Sequence, residues 1–174
     1  MDAFYASVEW LRYPQLKGLP MVIGGGRRQE DDLIGRLNVE RPERHWSAAD
    51  LARIPVDFFP RLSGYVGRGV ITTATYPARA FGVGPAMGLM KAARLCPQAI
   101  LLPVDFDEYR RYSREFKRVI REIAPQMEDR GVDEVYIDFS QVPGGQREGG
   151  RVLARLIQKA IFDATGLTCS IGVA

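Results

Sequence analysis

Residues 127–140 read Met127-Glu128-Asp129-Arg130-Gly131-Val132-Asp133-Glu134-Val135-Tyr136-Ile137-Asp138-Phe139-Ser140, and this stretch decides the fold class. It reads as a pair of strands. In a regular strand Asp133 shares a face with Val135, Ile137 and Phe139, while Glu134 points the other way. An unpaired carboxylate on an apolar face is costly to bury. Either the chain turns near Asp133 and Glu134, or Asp133 sits at the mouth of the sheet beside a cation. Two acids at a hairpin apex can converge on Mg²⁺, which takes a few carboxylates together with phosphate oxygens of a substrate. An Asp-Glu pair at a strand end is also common without any such role, so its neighbours must decide.

Working outward, Tyr109, Tyr112, Phe116, Val119, Ile120 and Ile123 form the apolar stripe of a long helix before the strand pair. Arg110, Arg111, Arg114, Lys117, Arg118 and Arg121 occupy its other face, which reads as a solvated face opposite a buried one. A second amphipathic helix is expected over 151–164, with Leu153, Leu156, Ile157 and Ala160 toward a core. A final strand follows at 167–173. Near the other end, Phe4, Val8 and Leu11 keep helical spacing until Pro14 stops the pattern. Residues 20–23 read as a short buried strand ended by Gly24-Gly25-Gly26. Residues 69–76 (GVITTATY) are strand-like, 87–95 helical, and 99–102 a short strand. Between them, 27–66 has mixed charge and weak periodicity and reads as a surface insertion, with Ser47 capping one short helix that Pro55 ends. Helix, strand, strand, helix, strand, preceded by one more strand, is the β-α-β-β-α-β ferredoxin-like pattern of an α+β fold. That first strand is missing from the sequence.

The chain has 174 residues, enough for one compact core with a lobe inserted into it. Its 46% hydrophobic and 26% charged residues are near globular averages. A net charge of +3 does not by itself indicate a nucleic-acid binder, because affinity for phosphates comes from clustered Lys and Arg. No apolar run approaches the ~20 residues of a membrane span, and no export signal is visible, so a cytoplasmic protein without membrane contact is expected. Cys96 and Cys169 lack CxxC spacing and read as reduced thiols. With His45 the one histidine, the sequence argues against a His-based zinc site or a Ser-His-Asp triad.

Four blocks, in order, carry a family resemblance. Residues 1–9 (MDAFYASVE) resemble an opening signature in which an Asp-x-Asp strand end runs into an aromatic-rich helix start. Residues 73–83 (TATYPARAFGV) are similar to a motif that receives a nucleoside triphosphate. Residues 131–138 (GVDEVYID) resemble a Ser-Ile-Asp-Glu motif, with Gly131 in place of the serine. Residues 168–174 (TCSIGVA) look like the strand before an Asn-Lys segment. Together these blocks resemble the palm and fingers of the Y-family, DNA polymerase IV-like translesion DNA polymerases.

The resemblance implies DNA-templated nucleotidyl transfer with two Mg²⁺ ions, and as partners primer-template DNA and deoxynucleoside triphosphates. It implies a discontinuous palm at 1–12 and 104–174 and a fingers lobe at 13–103. Asp133 and Glu134 are the implied catalytic and metal-binding acids, with the Met1 backbone carbonyl a further metal contact. Ala3, Phe4, Tyr5, Thr73, Tyr76 and Arg79 are the implied nucleotide-binding residues. Independently, a helix start near Ala3 offers unpaired N–H groups to phosphates. Tyr5 is implied as a steric gate whose ring leaves no room for a 2′-hydroxyl, an ordinary core aromatic being the lesser alternative. Phe4 suits either packing or stacking. Tyr76 and Arg79, three apart, share one side of a helical turn, and a phenol with a guanidinium suits β- and γ-phosphate oxygens; Arg79 could otherwise form a surface ion pair. Whether Gly82, Gly84 and Gly88 leave space over a base pair or simply make turns stays open.

The sequence departs from the pattern at both ends. The first-strand acid of the family would precede Met1, and the lysine that contacts the triphosphate would follow Ala174. The thumb and the C-terminal DNA-gripping domain, through which a sliding clamp would be reached, are also absent. An N- and C-terminally truncated fragment is therefore expected. The alternatives are a catalytically silent polymerase relative serving as a scaffold in a mutagenesis complex and, more distantly, a nucleotide cyclase, which also sets acids at a hairpin on a ferredoxin-like sheet.

Overall fold

A computed structural model describes residues 1–27, 32–146 and 148–174, the side chains of Arg27 and Asp32 excepted. Along the chain run α1 (Phe4–Arg12), β1 (Met21–Arg27), α2 (Asp32–Glu40), β2 (Ile71–Ala74), α3 (Tyr76–Arg79) and α4 (Leu89–Leu95). After these come β3 (Ile100–Val104), α5 (Phe106–Ile123), β4 (Met127–Asp129), β5 (Val135–Ile137) and α6 (Gly149–Thr165). The fold is mixed α+β. The chain divides into two compact units, Met1–Val8 with Phe106–Ala174, and Glu9–Asp105.

The Glu9–Asp105 unit is built on a three-stranded sheet in the order β2-β1-β3, with β1 antiparallel to β2 and parallel to β3. Met21, Val22 and Ile23 are buried in succession, which requires cover on both faces of the central strand. The three glycines expected to end this strand do not end it. It continues to Arg27 with a register shift after Ile23. A Cβ on Gly24 would lie 2.4 Å from the Val70 carbonyl oxygen, so glycine here lets two backbones approach. The segment read as a surface insertion also needs correction. Residues 28–31 of it lie outside the described residues, but Leu37, Trp46, Ile54, Phe58, Phe59 and Leu62 are all buried. Leu37 comes from α2, and Phe58 and Leu62 from short 3₁₀ turns at Val56–Phe58 and Leu62–Gly64, while Ile54 and Phe59 directly follow the turns Ala48–Arg53 and Val56–Phe58. Their apolar spacing fits neither a long helix nor a strand, which is why the periodicity looked weak. Ser47 and Asp50 form the expected capping box, on a 3₁₀ turn.

Tyr13 packs edge-on against Phe59, with ring centroids 5.1 Å apart. Burial pushes its phenol up to about 12 from 10.0. The unfolded chain loses the proton first, so the folded state binds more protons above pH 10. This contribution to stability should be intact below pH 10 and decline as pH rises toward about 12. Denaturant midpoints across that window, compared with Tyr13→Phe, check it: the variant's curve should be flatter.

In the other unit, α5 and α6 pack against each other, and β4 pairs with β5 in an antiparallel hairpin. Tyr109, Phe116, Val119 and Ile120 are buried on α5 as its stripe predicts. Lys117 is not on the solvated face; it is buried, 7% exposed, on the same side as Ser113 and Phe116. On α6 the buried line is Leu153, Ala154, Ile157, Ile161 and Thr165, while Leu156 is half exposed. Gly166 ends the helix at φ 75°, its N–H donating to the Phe162 carbonyl, with Leu167 buried beyond it. The expected strand at 167–173 is not formed. A strand needs a partner's ladder, and this segment receives a backbone bond from Asp2, whose N–H donates to the Thr168 carbonyl at 3.1 Å.

Candidate active site

Helix α1 begins immediately after Ala3, which takes a left-handed φ of 41°. The Ser7 N–H closes the first turn on the Ala3 carbonyl, and the Ser7 hydroxyl donates to the Asp2 carbonyl, at 2.8 Å each. This start sends two adjacent aromatic rings in different directions. Phe4 turns inward, 4% exposed and edge-on to Phe116, so packing is its role in this unit. Tyr5 turns toward a pocket of about 420 Å³ that it lines with Phe106, Tyr109, Arg110, Arg114 and Val132. Its ring stacks on Tyr109 at 4.2 Å and 17°. Burial raises the Tyr5 phenol above its ordinary value, the charge of Asp133 adds to that, and Arg110 opposes it. Tyr5 and Asp133 are thus electrostatic neighbours.

The hairpin turns between β4 and β5 rather than running straight. Along 133–139 the half-buried residues are Asp133, Val135, Ile137 and Phe139, and the exposed ones are Glu134, Tyr136 and Asp138, the alternation expected from the sequence. Asp133 occupies the covered side without deep burial because it lies in the turn that closes the hairpin, beyond the last strand pair Asp129 and Val135. Four consecutive carbonyls of this turn each accept a hydrogen bond. Gly131 receives it from Lys117 Nζ (2.7 Å), Val132 from the Ser113 hydroxyl (2.5 Å), Asp133 from the Met1 nitrogen (2.7 Å), and Glu134 from the Arg130 N–H (3.0 Å). Met1 is thereby set beside Asp133. Asp2 is engaged elsewhere, its carboxylate accepting from the Ser170 hydroxyl at 2.8 Å.

The oxygens of Asp133, Glu134 and the Met1 carbonyl are hard donors of the kind Mg²⁺ accepts, and a cation of this sort is commonly held by one or two carboxylates plus substrate phosphates. Among the described residues no group of three or more His, Cys, Asp or Glu side chains gathers that could hold a metal. The donor chemistry fits Mg²⁺ when a substrate completes the shell.

Thr73, Tyr76 and Arg79 belong to the other unit. Thr73 is on β2, paired with Ile23. Tyr76 and Arg79 both lie on α3, with the guanidinium 5.1 Å from the Tyr76 ring centroid and its Nε donating to the Ala74 carbonyl at 2.9 Å. Tyr76 is 76% exposed, so phenol and guanidinium form one accessible polar face. Thr75, absent from the sequence reading, anchors this helix. Its buried hydroxyl accepts from the Met21 N–H (3.0 Å) and donates to the Leu19 carbonyl (3.3 Å).

Sequence reasoning also missed Arg110 and Arg114 as pocket residues, and Ser113 and Lys117 as holders of the hairpin. A signal existed: Ser113 and Lys117 are four apart, on the face that carries Tyr109, Phe116 and Ile120. Much of the remaining basic stripe is neutralised within the helix, Arg111 by Glu108 and Arg118 by Glu115 and Glu122.

The whole chain, residues 1–174, matches the impB/mucB/samB family. It is 37% identical over 175 residues to a DNA polymerase IV of Alkalilimnicola ehrlichii, covering 99% of this chain and 38% of the relative. It is 33% identical over 174 residues to a DNA polymerase kappa of Arabidopsis thaliana, covering 20% of that protein. Among solved structures, the insertion ternary complex of Dbh DNA polymerase superposes with a TM-score of 0.71 at 27% identity, over 99% of this chain and 40% of that one. DinB from Sulfolobus solfataricus gives 0.67 at 26% identity, over 96% and 38%. The chain therefore spans about two-fifths of the bacterial relative and of these structures. With its whole length matched by the family and its fold shared with these polymerases, the chain belongs to the impB/mucB/samB family, the Y-family DNA polymerases.

Proposed function

We propose that this chain supplies the palm and fingers of a translesion DNA polymerase, acting on primer-template DNA and deoxynucleoside triphosphates. The observation that carries the reading is Tyr5 lining a pocket together with Val132, the residue before Asp133, at the start of a helix whose first N–H groups suit phosphates. On this reading 1–12 and 104–174 form a ferredoxin-like palm, and 13–103 form the fingers. Asp133, Glu134 and the Met1 carbonyl would hold two Mg²⁺ ions, which when bound would activate a primer hydroxyl and neutralise the triphosphate. Ala3 and Phe4 would offer backbone N–H groups to the triphosphate, and Thr73, Tyr76 and Arg79 would bind its outer oxygens, the guanidinium through a forked contact. The setting is cytoplasmic, with a sliding clamp as a further partner. Among the described residues no helix is long and apolar enough to cross a membrane.

The Tyr5 ring, backed by Tyr109, would exclude a 2′-hydroxyl by collision, a repulsive form of specificity. Tyr5→Ala should raise ribonucleotide relative to deoxyribonucleotide incorporation on the order of tenfold or more. Single-nucleotide insertion kinetics measure this, and unchanged sugar discrimination would remove Tyr5 from the gate. A scaffold reading draws on the finding that no three His, Cys, Asp or Glu side chains gather among the described residues. Template-directed extension of a primer in Mg²⁺ by the protein at the full length of its relatives separates the two: extension excludes the scaffold, and its absence excludes the polymerase.

A further inference from the structure

Lys117 differs from every other cation of α5. It is buried, and its ammonium reaches Asp129 Oδ1 at 2.9 Å, Asp129 Oδ2 at 2.8 Å and the Gly131 carbonyl at 2.7 Å. A lysine has three N–H donors, and here each has an acceptor in one short loop. One helical turn earlier, Ser113 donates to the next carbonyl, that of Val132. Two successive turns of an 18-residue helix thus grip the two residues that precede Asp133. The backbone they grip is bent: Gly131 has φ 154°, a conformation that side-chain-bearing residues rarely adopt. Gly131 is also the position where this sequence departs from the serine of the resembling motif. A buried lysine with its carboxylate is an expensive choice, since replacing such a pair as a whole by apolar residues of similar volume is often neutral or stabilising. Packing alone therefore does not account for it.

We propose that Lys117, assisted by Ser113, is a positioning residue that fixes the bent 129–132 loop and so aims the Asp133 carboxylate at its cation. This rests on the metal reading of Asp133 and Glu134 given above. The ammonium binds no substrate; it acts through the loop, and Asp129 is its counter-charge. Outer groups that orient metal ligands are worth about 10–100-fold in metal affinity.

Terbium luminescence titration, with Tb³⁺ as the probe and no nucleic acid present, tests it on the wild type, Lys117→Met and Asp129→Asn. Lys117→Met should bind Tb³⁺ at least tenfold more weakly, with Asp129→Asn shifted the same way by less. In primer extension, Lys117→Met should lower kcat while nucleotide KM stays within about threefold, because no triphosphate contact is lost. A folded Lys117→Met with wild-type Tb³⁺ affinity overturns the proposal. Should that variant fail to fold, wild-type affinity in Asp129→Asn overturns it instead. If the wild type takes up no Tb³⁺, the metal reading itself fails. The loop's hold is then read from amide exchange over 131–134, where faster exchange in Asp129→Asn supports the grip and unchanged exchange ends it.

Discussion

Asp133→Asn is expected to reduce Mg²⁺-dependent primer extension by more than about 100-fold, since removing a ligand should cost at least as much as removing a group that orients one. The substitution is nearly isosteric. The hydrogen bond from Met1 goes to the backbone carbonyl of Asp133, and the grips of Lys117 and Ser113 fall on the two carbonyls before it, so the turn should survive intact. What disappears is one negative charge that acts on Tyr5. A second readout follows from the same charge. Asp133 helps raise the Tyr5 phenol, after burial, so in Asp133→Asn that phenol should titrate lower, moving back toward its ordinary value while staying above it. An active variant would remove Asp133 from the metal site. An active variant whose Tyr5 titration had nonetheless moved would show that the two residues are neighbours without sharing the chemistry.

The largest stability effect is expected from Arg12→Met. Arg12 closes a forked pair on Glu9, Nε to Oε2 at 2.9 Å and Nη2 to Oε1 at 3.0 Å, and reaches Asp105 at 2.7 Å. Glu9 is 2% exposed. Burial works against the Arg12 charge, but the bonds from Glu9 and Asp105 outweigh it and hold the guanidinium charged above its ordinary range. Taking the guanidinium away removes both bonds of the forked pair on a buried carboxylate, and breaking a buried ion pair costs about 3–5 kcal/mol. For a chain of this size that is a fall in melting temperature of roughly 6–20 °C. Calorimetry measures it directly. Glu9→Leu combined with Arg12→Met should recover part of the loss, because the buried negative charge goes with its cation. A melting temperature within a degree of wild type in the single variant would show that this cluster contributes nothing.

Elements that fold on local rules were legible in the sequence. The stripe of α5 and the helix at 149–165 follow from 3.6-residue periodicity, and the strand pair at 127–137 from its alternation. The alternation even gave the sides of Asp133 and Glu134. Where contacts come from far along the chain, the reading failed. Gly24 to Gly26 punctuate a strand in any local view, yet the approach of the Val70 backbone makes glycine the residue that lets β1 continue. Leu37, Phe58 and Leu62 looked like parts of a surface insertion because no single period links them. Lys117 was assigned to a solvated face by residue type, although its position on the helix put it with Ser113 and Phe116.

By itself, the order of the residues determined the family, the mixed α+β character and the identity of the acids at the hairpin, because these depend on motifs and on short-range patterns. Tertiary structure decided which cation grips the hairpin, which aromatic faces the pocket and which carboxylate is buried. Those outcomes turn on desolvation and on partners more than ten residues away, as with Lys117 and Asp129 or Arg12 and Asp105. A charged side chain takes its place from the partner that compensates its burial, and that partner becomes a neighbour only once the chain has folded.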